Sequence, residues 1–476
     1  MSRINTNVQS LTAQRGLSKA QMQLSTTLNR LSTGLRITRG ADDPAGLIAS
    51  EQLRSEISGV TQAIDNSQRA SNVVATAEGS LAEVANLLLN IKDMIVEAAN
   101  TGALSKDEID ANQLQVESAI ESITRISNTT SFAGLKLLDG SLDYVTSGVD
   151  NSSIDALRIN QANFGTQADI PVNVDVLASA KQAELIYNGT TLSGAVTLEV
   201  TGNEGTDTLS FAASTPVSAV LAAVNTISDV TGVTATLVSG GSGISFKSTG
   251  YGSRQFVSVQ AQGNSGTFTV VDSTGAARTR SAGTDATATI NGTLATADGL
   301  NLKLNTTNLD VELTLDSGFG TGTTSFAITE GGSLFQLGGK VKANQQVNIG
   351  IQSVAANKLG NQDIGYLSDI VGRGPGNLTT EGGPATASKI VEEAIKQVSV
   401  LRGRLGAFEK NTLDTNVNSL SITLENVTAA ESSIRDADFA EETSNLTRAQ
   451  ILTQAGTSVL ATANSSPQAV LSLLGR

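Results

Sequence analysis

A seven-residue recurrence runs through Val60, Ser67, Val74, Leu81, Leu88 and Ile95, flanked early by Ile57 and Ile64 and then by Ala70, Ala77, Val84 and Ile91. Heptads sustained over this length predict a coiled-coil-like seam, and the small residues at its middle predict close approach of a neighbouring helix. Upstream, Leu17, Leu24, Leu28, Leu31 and Leu35 form a shorter seam that Gly34 and Gly40 interrupt. Asp42-Asp43-Pro44 restarts a helix, with an Asp cap and a proline tolerated in the first turn. The break at 36–43 therefore separates helices of two different domains. A third helix is predicted from Ser105-Lys106-Asp107-Glu108, which has capping-box spacing, through Ile109, Val116, Ile120, Ile123 and Ile126 to Asn128-Thr129-Thr130.

The other end of the chain answers the first. Val391, Ala394, Val398, Leu401, Leu405 and Phe408 step by three and four. The phase slips near Asn411 and resumes at Leu413, Val417, Leu420, Leu424 and Val427, a shift that changes the supercoil without ending the helix. A second hinge is predicted at Asp436-Ala437-Asp438, before a last helix carrying Leu446, Ile451, Leu452, Ala455, Val459 and Ala463. Between the helical ends, short alternating runs predict half-buried strands, among them Val196–Val200, Val233–Leu237 and Asp310–Leu315. Ser218–Ile227 is the one helix expected there, and the Gly- and Pro-rich stretch 370–384 is a loop.

Composition narrows the chemistry. The 476-residue chain has no Cys, no His and no Trp, which removes thiol and imidazole chemistry and the commonest metal ligands. No catalytic, cofactor or metal site is expected. A formal charge of −14 argues against nucleic acid as a partner. No apolar run reaches the length of a membrane span, and Met1–Gly16 lacks the apolar core of a cleavable signal peptide. Asp42 and Asp43 read as a helix start rather than a metal site, and the Gly-rich runs at 239–243 and 372–376 lack the trailing Lys-Ser/Thr of a phosphate loop.

Both ends resemble bacterial flagellin. The matching residues are Ile4-Asn5-Thr6-Asn7, Leu28–Ile37 and Ala41–Gly46 at one end, and Leu405–Phe408, Ile434–Asp438, Arg448–Gly456 and Pro467–Leu474 at the other. The resemblance implies a multi-domain α+β chain. Segments 1–42 and 435–476 would form a helical inner core, and 43–178 with 332–434 a helical bundle bearing a β-hairpin. Residues 179–331 would be a β-rich outer insertion. It also implies a homopolymer outside the cell, passage unfolded through the flagellar type III export channel, and an export chaperone on the C-terminal helix. Hook-associated and cap proteins would be neighbours. A hook–filament junction protein and a secreted adhesin with a β-rich tip are the alternatives; the Arg448–Gly456 block favours the filament subunit.

The seams at 57–95 and 391–427 read mainly as an internal core, whereas a thin terminal hairpin at 17–35 and 446–474 must bury its apolar face between subunits. The expected filament interface comprises Leu24, Leu28, Arg30, Leu31, Leu35, Asp42, Asp43, Lys92 and Asp93, together with Leu446, Arg448, Gln450, Ile451, Leu452, Gln454, Ala455, Val459, Leu471 and Leu474. By the same resemblance, Leu89–Val96 aligns with the segment sensed by an animal innate receptor. Lys92 and Asp93 keep its charges there, but Asn90 replaces the family's arginine and removes a bidentate donor, which weakens recognition.

Overall fold

The computed structural model describes residues 6–474 apart from 166, 239–242, 263–267 and 307, with side chains described as far as residue 466. Eight α-helices fall among these residues: α1 Val8–Thr33, α2 Pro44–Ala98, α3 Lys106–Thr129, α4 Val217–Thr226, α5 Ser228–Thr231, α6 Gly383–Phe408, α7 Thr415–Arg435 and α8 Phe439–Leu474. The chain divides into two compact units, one of Met1–Arg69, Gln336–Val341 and Asn411–Arg476, the other of Ala70–Phe335 and Lys342–Lys410.

In the second unit, Ala70, Val74, Ala77, Leu81, Val84, Leu88, Ile91 and Ile95 of α2 are all buried, so both rows of the heptad point inward. Helix α6 runs antiparallel beside them. Ser71 donates to Glu409 at 2.6 Å, Arg402 meets Glu78 at 3.7 Å and Lys92 meets Glu392 at 3.0 Å. Val391, Ala394, Val398, Leu401 and Leu405 are the buried face of α6. Helix α3 opens with the expected capping box: Ser105 Oγ accepts from Glu108 N, and the Glu108 carboxylate accepts from Ser105 N. Its buried Gln113 holds the 370–378 loop, donating to the Ile370 carbonyl and accepting from Leu378 N, both at 2.9 Å. A hairpin of Ser131–Phe132 and Leu135–Lys136 follows, closed by Ala133 and Gly134 at positive φ.

The β region is nested. An outer module has a five-stranded antiparallel sheet in the order Thr293–Leu294, Thr287–Ile290, Ile170–Ala178, Gly322–Gly331, Tyr144–Ser147. A second sheet of four strands runs Thr296–Asp298, Asn301–Asn305, Leu309–Leu315, Ile154–Ala162. Strict alternation puts Val172, Val174, Val176, Phe326 and Ile328 from the first sheet, and Val311, Leu313 and Leu302 from the second, into one core. Strands on either side of residue 178 thus share a sheet. Helix α6 is tied to this module by Arg404, which donates to the Asn160 side chain and to the Gly350 carbonyl at 2.9 Å. Burial pushes the carboxyl of nearby Asp143 above its usual range.

The inner module has its own core: Leu185, Leu198, Val200, Phe246, Val257 and Val259 from two four-stranded sheets, with Val217, Val220 and Val224 of α4. The chain enters and leaves it through one antiparallel bridge, Lys181 N to Thr284 O at 2.9 Å and Thr284 N to Lys181 O at 3.0 Å. Asp285 seals the junction by accepting from Ser253 N, Ser253 Oγ and Gly299 N. A Cβ at Gly283 would strike the carbonyl oxygens of Gly252 and Lys181, so only glycine fits this crossing.

In the first unit, α2 and α7 run antiparallel, joined by Asn416 Nδ2 to Ser67 Oγ at 3.0 Å and by Arg435 to Glu51 at 3.5 Å. The phase slip expected near Asn411 is a π-helical stretch, Glu409–Asp414, which absorbs the extra residue while the helix continues. The expectation of an internal core through 427 is corrected here. Leu413 is buried, but Val417, Leu420, Leu424 and Val427 are only half-buried, Ile422 is 61% exposed, and α7 has no buried residue. Two helices side by side can cover only one stripe of each other.

Two outcomes are expected. Replacing Gln182–Gly283 with a two-residue Asn-Gly turn should leave the outer module folded, because Lys181 and Thr284 are already paired as the base of a hairpin. Loss of the outer-sheet amide protection in hydrogen exchange would refute it. Leu88→Ala should destabilise the second unit by about 2–5 kcal/mol, because Leu88 is fully buried in the heptad seam. Denaturant unfolding of the full chain checks this.

Candidate assembly interface

Helices α1 and α8 form an antiparallel pair within the first unit. Asn7 caps α1, its Oδ1 accepting from Ser10 N at 3.0 Å, and Gly34 ends it at φ 73° with its N–H on the Arg30 carbonyl. The hinge at 34–37 then lies against the hinge at 435–437: Arg36 N donates to Arg435 O, Ala437 N donates to Gly34 O, and Leu35 bridges Asp436. Asp43 caps α2 by accepting from Gly46 N at 2.9 Å. Asp42 instead gathers the preceding loop, accepting from Thr38 Oγ1, Thr38 N and Arg39 N. The Thr38 hydroxyl bond is the main reason its carboxyl sits below the usual range. This tie is therefore in place above the ordinary carboxylate pKa and is lost as pH falls through the lowered one.

The fully buried apolar positions along the pair are small. Ala20 and Thr27 of α1 and Ala449 and Ala463 of α8 are buried, and a Cβ added to Gly456 would lie 3.3 Å from Leu17. Glu442, Ala449, Gly456 and Ala463 recur every seven residues. Glu442 is 6% exposed and meets Arg30 at 3.0 Å, which fixes the axial register at the hinge end. This small-residue heptad was visible in the sequence, but the larger aliphatics beside it drew the eye.

Those aliphatics face away. Val8 is 59% exposed, Met22 62%, Leu28 48%, Ile451 62%, Leu452 46% and Val459 57%. Leu24, Leu31, Leu35 and Leu446 are half-buried, and Arg448, Gln450, Gln454 and Ala455 are exposed. The side chains of Leu471 and Leu474 lie outside those described. Near the chain ends, Val8, Thr12, Ala13, Val459, Thr462 and Ala463 line an open groove of about 670 Å³. The remaining sequence-derived candidates sit in the second unit on α2: Asn90 and Asp93 are exposed, while Lys92 is half-buried in its ion pair with Glu392.

Among the described residues there is no group of side chains arranged to hold a metal ion, and no helix long and apolar enough to cross a membrane. Comparison with known proteins accounts for the architecture. Residues 4–143 match the bacterial flagellin N-terminal helical region, and residues 388–474 match the bacterial flagellin C-terminal helical region. A flagellin of Salmonella rubislaw is 31% identical across 99% of both chains, and the B-type flagellin of Pseudomonas aeruginosa is also 31% identical across 99% of both. Among solved structures, the flagellar junction protein FlgL of Legionella pneumophila covers 81% of this chain and 99% of its own, at 12% identity and a TM-score of 0.28. FliC of Burkholderia pseudomallei covers 72% and 99%, at 17% identity and a TM-score of 0.24. On its end-to-end sequence relation, the chain belongs to the bacterial flagellin family and is a structural subunit of the flagellar filament, not an enzyme.

Proposed function

We propose that the subunit polymerises through the outward face of the α1/α8 pair, which forms the inner wall of the filament. The observation that carries this reading is the row of large apolar side chains that the pair leaves uncovered: Val8, Met22, Leu28, Ile451, Leu452 and Val459 stand out at 46–62% exposure. Hiding one such side chain from water contributes roughly 1–2 kcal/mol, so a handful per subunit outweighs the entropy of ordering the pair. The segments 43–178 and 332–434 make the next layer, and the half-covered stripe of α7 is a contact surface of that layer. The insertion 179–331 projects outward and leaves the helical contacts free.

The chain leaves the cell unfolded through the flagellar export channel, and a cytoplasmic chaperone shields the apolar face of α8 until then. An exposed aliphatic face that is covered only in the polymer supports such a need. Hook-associated and cap proteins meet the same helical ends at the two limits of the filament. A host innate receptor is a weaker partner, because exposed Asn90 offers no guanidinium where the family carries one.

Leu452→Asp tests the assembly surface. The position is 46% exposed in the subunit, so a carboxylate there leaves the fold and melting of the isolated chain unchanged. In the polymer the same carboxylate must be desolvated at a cost of several kcal/mol, and purified protein should fail to form filaments. Filaments of normal length from this variant would sink the proposal. For the receptor, Asn90→Arg should raise the response of cells carrying it by at least about tenfold, as expected for regaining one charge-assisted pair; an unchanged response would count against that contact.

A further inference from the structure

An α-helix closes each turn by donating the N–H of one residue to the carbonyl four positions earlier. Helix α8 runs without interruption through position 467, where proline has no N–H to give. The carbonyl left without its intrahelical donor is that of Ala463. Its donor arrives from the other helix: Asn7 Nδ2 lies 2.7 Å from Ala463 O. The oxygen of the same carboxamide caps α1 on Ser10 N at 3.0 Å. Ser10 Oγ in turn donates to Asn464 Oδ1 at 2.7 Å. One side chain therefore begins one helix and completes the hydrogen bonding of the other.

We infer that Asn7 and Pro467 form a register lock for the terminal pair. The small-residue seam cannot set its own register, because Ala449, Gly456 and Ala463 recur every seven residues and a slide of one heptad, about 10 Å, again opposes small to small. Proline frees one carbonyl at one point along α8, and a carboxamide at the start of α1 reaches it in one alignment only. The Arg30–Glu442 pair fixes the hinge end, and this contact fixes the far end. It thereby sets Val8 against Val459 across the groove, so the inference rests on the reading of that face as the assembly surface. Asn7 acts as a positioning residue; the apolar side chains make the subunit contact.

Asn7→Asp separates the two jobs of the carboxamide. Aspartate caps a helix as well as asparagine does but sets an acceptor against the Ala463 carbonyl. In seeded polymerisation of the purified full-length chain, Asn7→Asp should raise the critical concentration about tenfold, the scale of one hydrogen bond to a buried group, and Asn7→Ala should raise it at least as much. Pro467→Ala returns a backbone donor to Ala463, so Asn7→Asp in that background should cost less than about twofold. Wild-type assembly by Asn7→Asp, or an equal cost in both backgrounds, overturns the lock. Should Pro467→Ala not polymerise at all, the comparison of Asn7→Asp with Asn7→Ala decides, since loss with the cap intact assigns the effect to the donor. Normal assembly by Leu452→Asp would remove the underlying surface; a defective Leu452→Asp with a normal Asn7→Asp removes only the lock.

Discussion

The two end helices of this chain pair along a seam whose fully buried apolar positions are held by small residues. Ala20, Thr27, Ala449, Gly456 and Ala463 let the two backbones come close, with Leu17 packed over Gly456 and Leu24, Leu31 and Leu446 half-buried beside them. A second set, Val8, Met22, Leu28, Ile451, Leu452 and Val459, is turned outward. On the proposed assembly surface, covering that exposed row is the driving force for polymerisation.

The rest of the molecule follows a different rule. From Ala70 to Ile95, α2 buries both rows of its heptad, and the β modules bury theirs strand by strand, so these parts are satisfied without neighbours. Nesting is what makes the β region tolerant of change. The inner module meets the outer one at the Lys181–Thr284 bridge, the carboxylate knot at Asp285 and the Arg254–Asp298 ion pair, and each has a separate core. The π-helical turn at Glu409–Asp414 lets one continuous helix serve a closed seam on one side and a half-covered one on the other, because its extra residue rotates the apolar stripe.

Much of this was legible beforehand because it depends on local chemistry. The capping box at Ser105 and Glu108, the restart at Asp43-Pro44, the slip near Asn411 and the helix at 217–226 are each written in a few adjacent residues. The candidate interface was read from the sequence as a list of positions and not as a geometry. A row of Leu, Ile and Val says that something must be covered and does not say which row faces the partner helix. The pairing of Ile170–Ala178 with Gly322–Gly331 was beyond reach for a related reason: alternation marks a strand and its buried face, and every alternating strand in the region offers the same pattern to every other.

By itself the sequence determined the family, the helical ends, the heptad phase, the caps and hinges, and the absence of thiol and imidazole chemistry, because each resides in composition or in spacing within one element. Tertiary structure alone decided the partners. It chose Glu442 for Arg30, Thr284 for Lys181 and the Ala463 carbonyl for Asn7, contacts between residues as many as 456 positions apart. Those choices follow from which surfaces can approach closely enough to exclude water, and that is a property of two elements brought together rather than of either one.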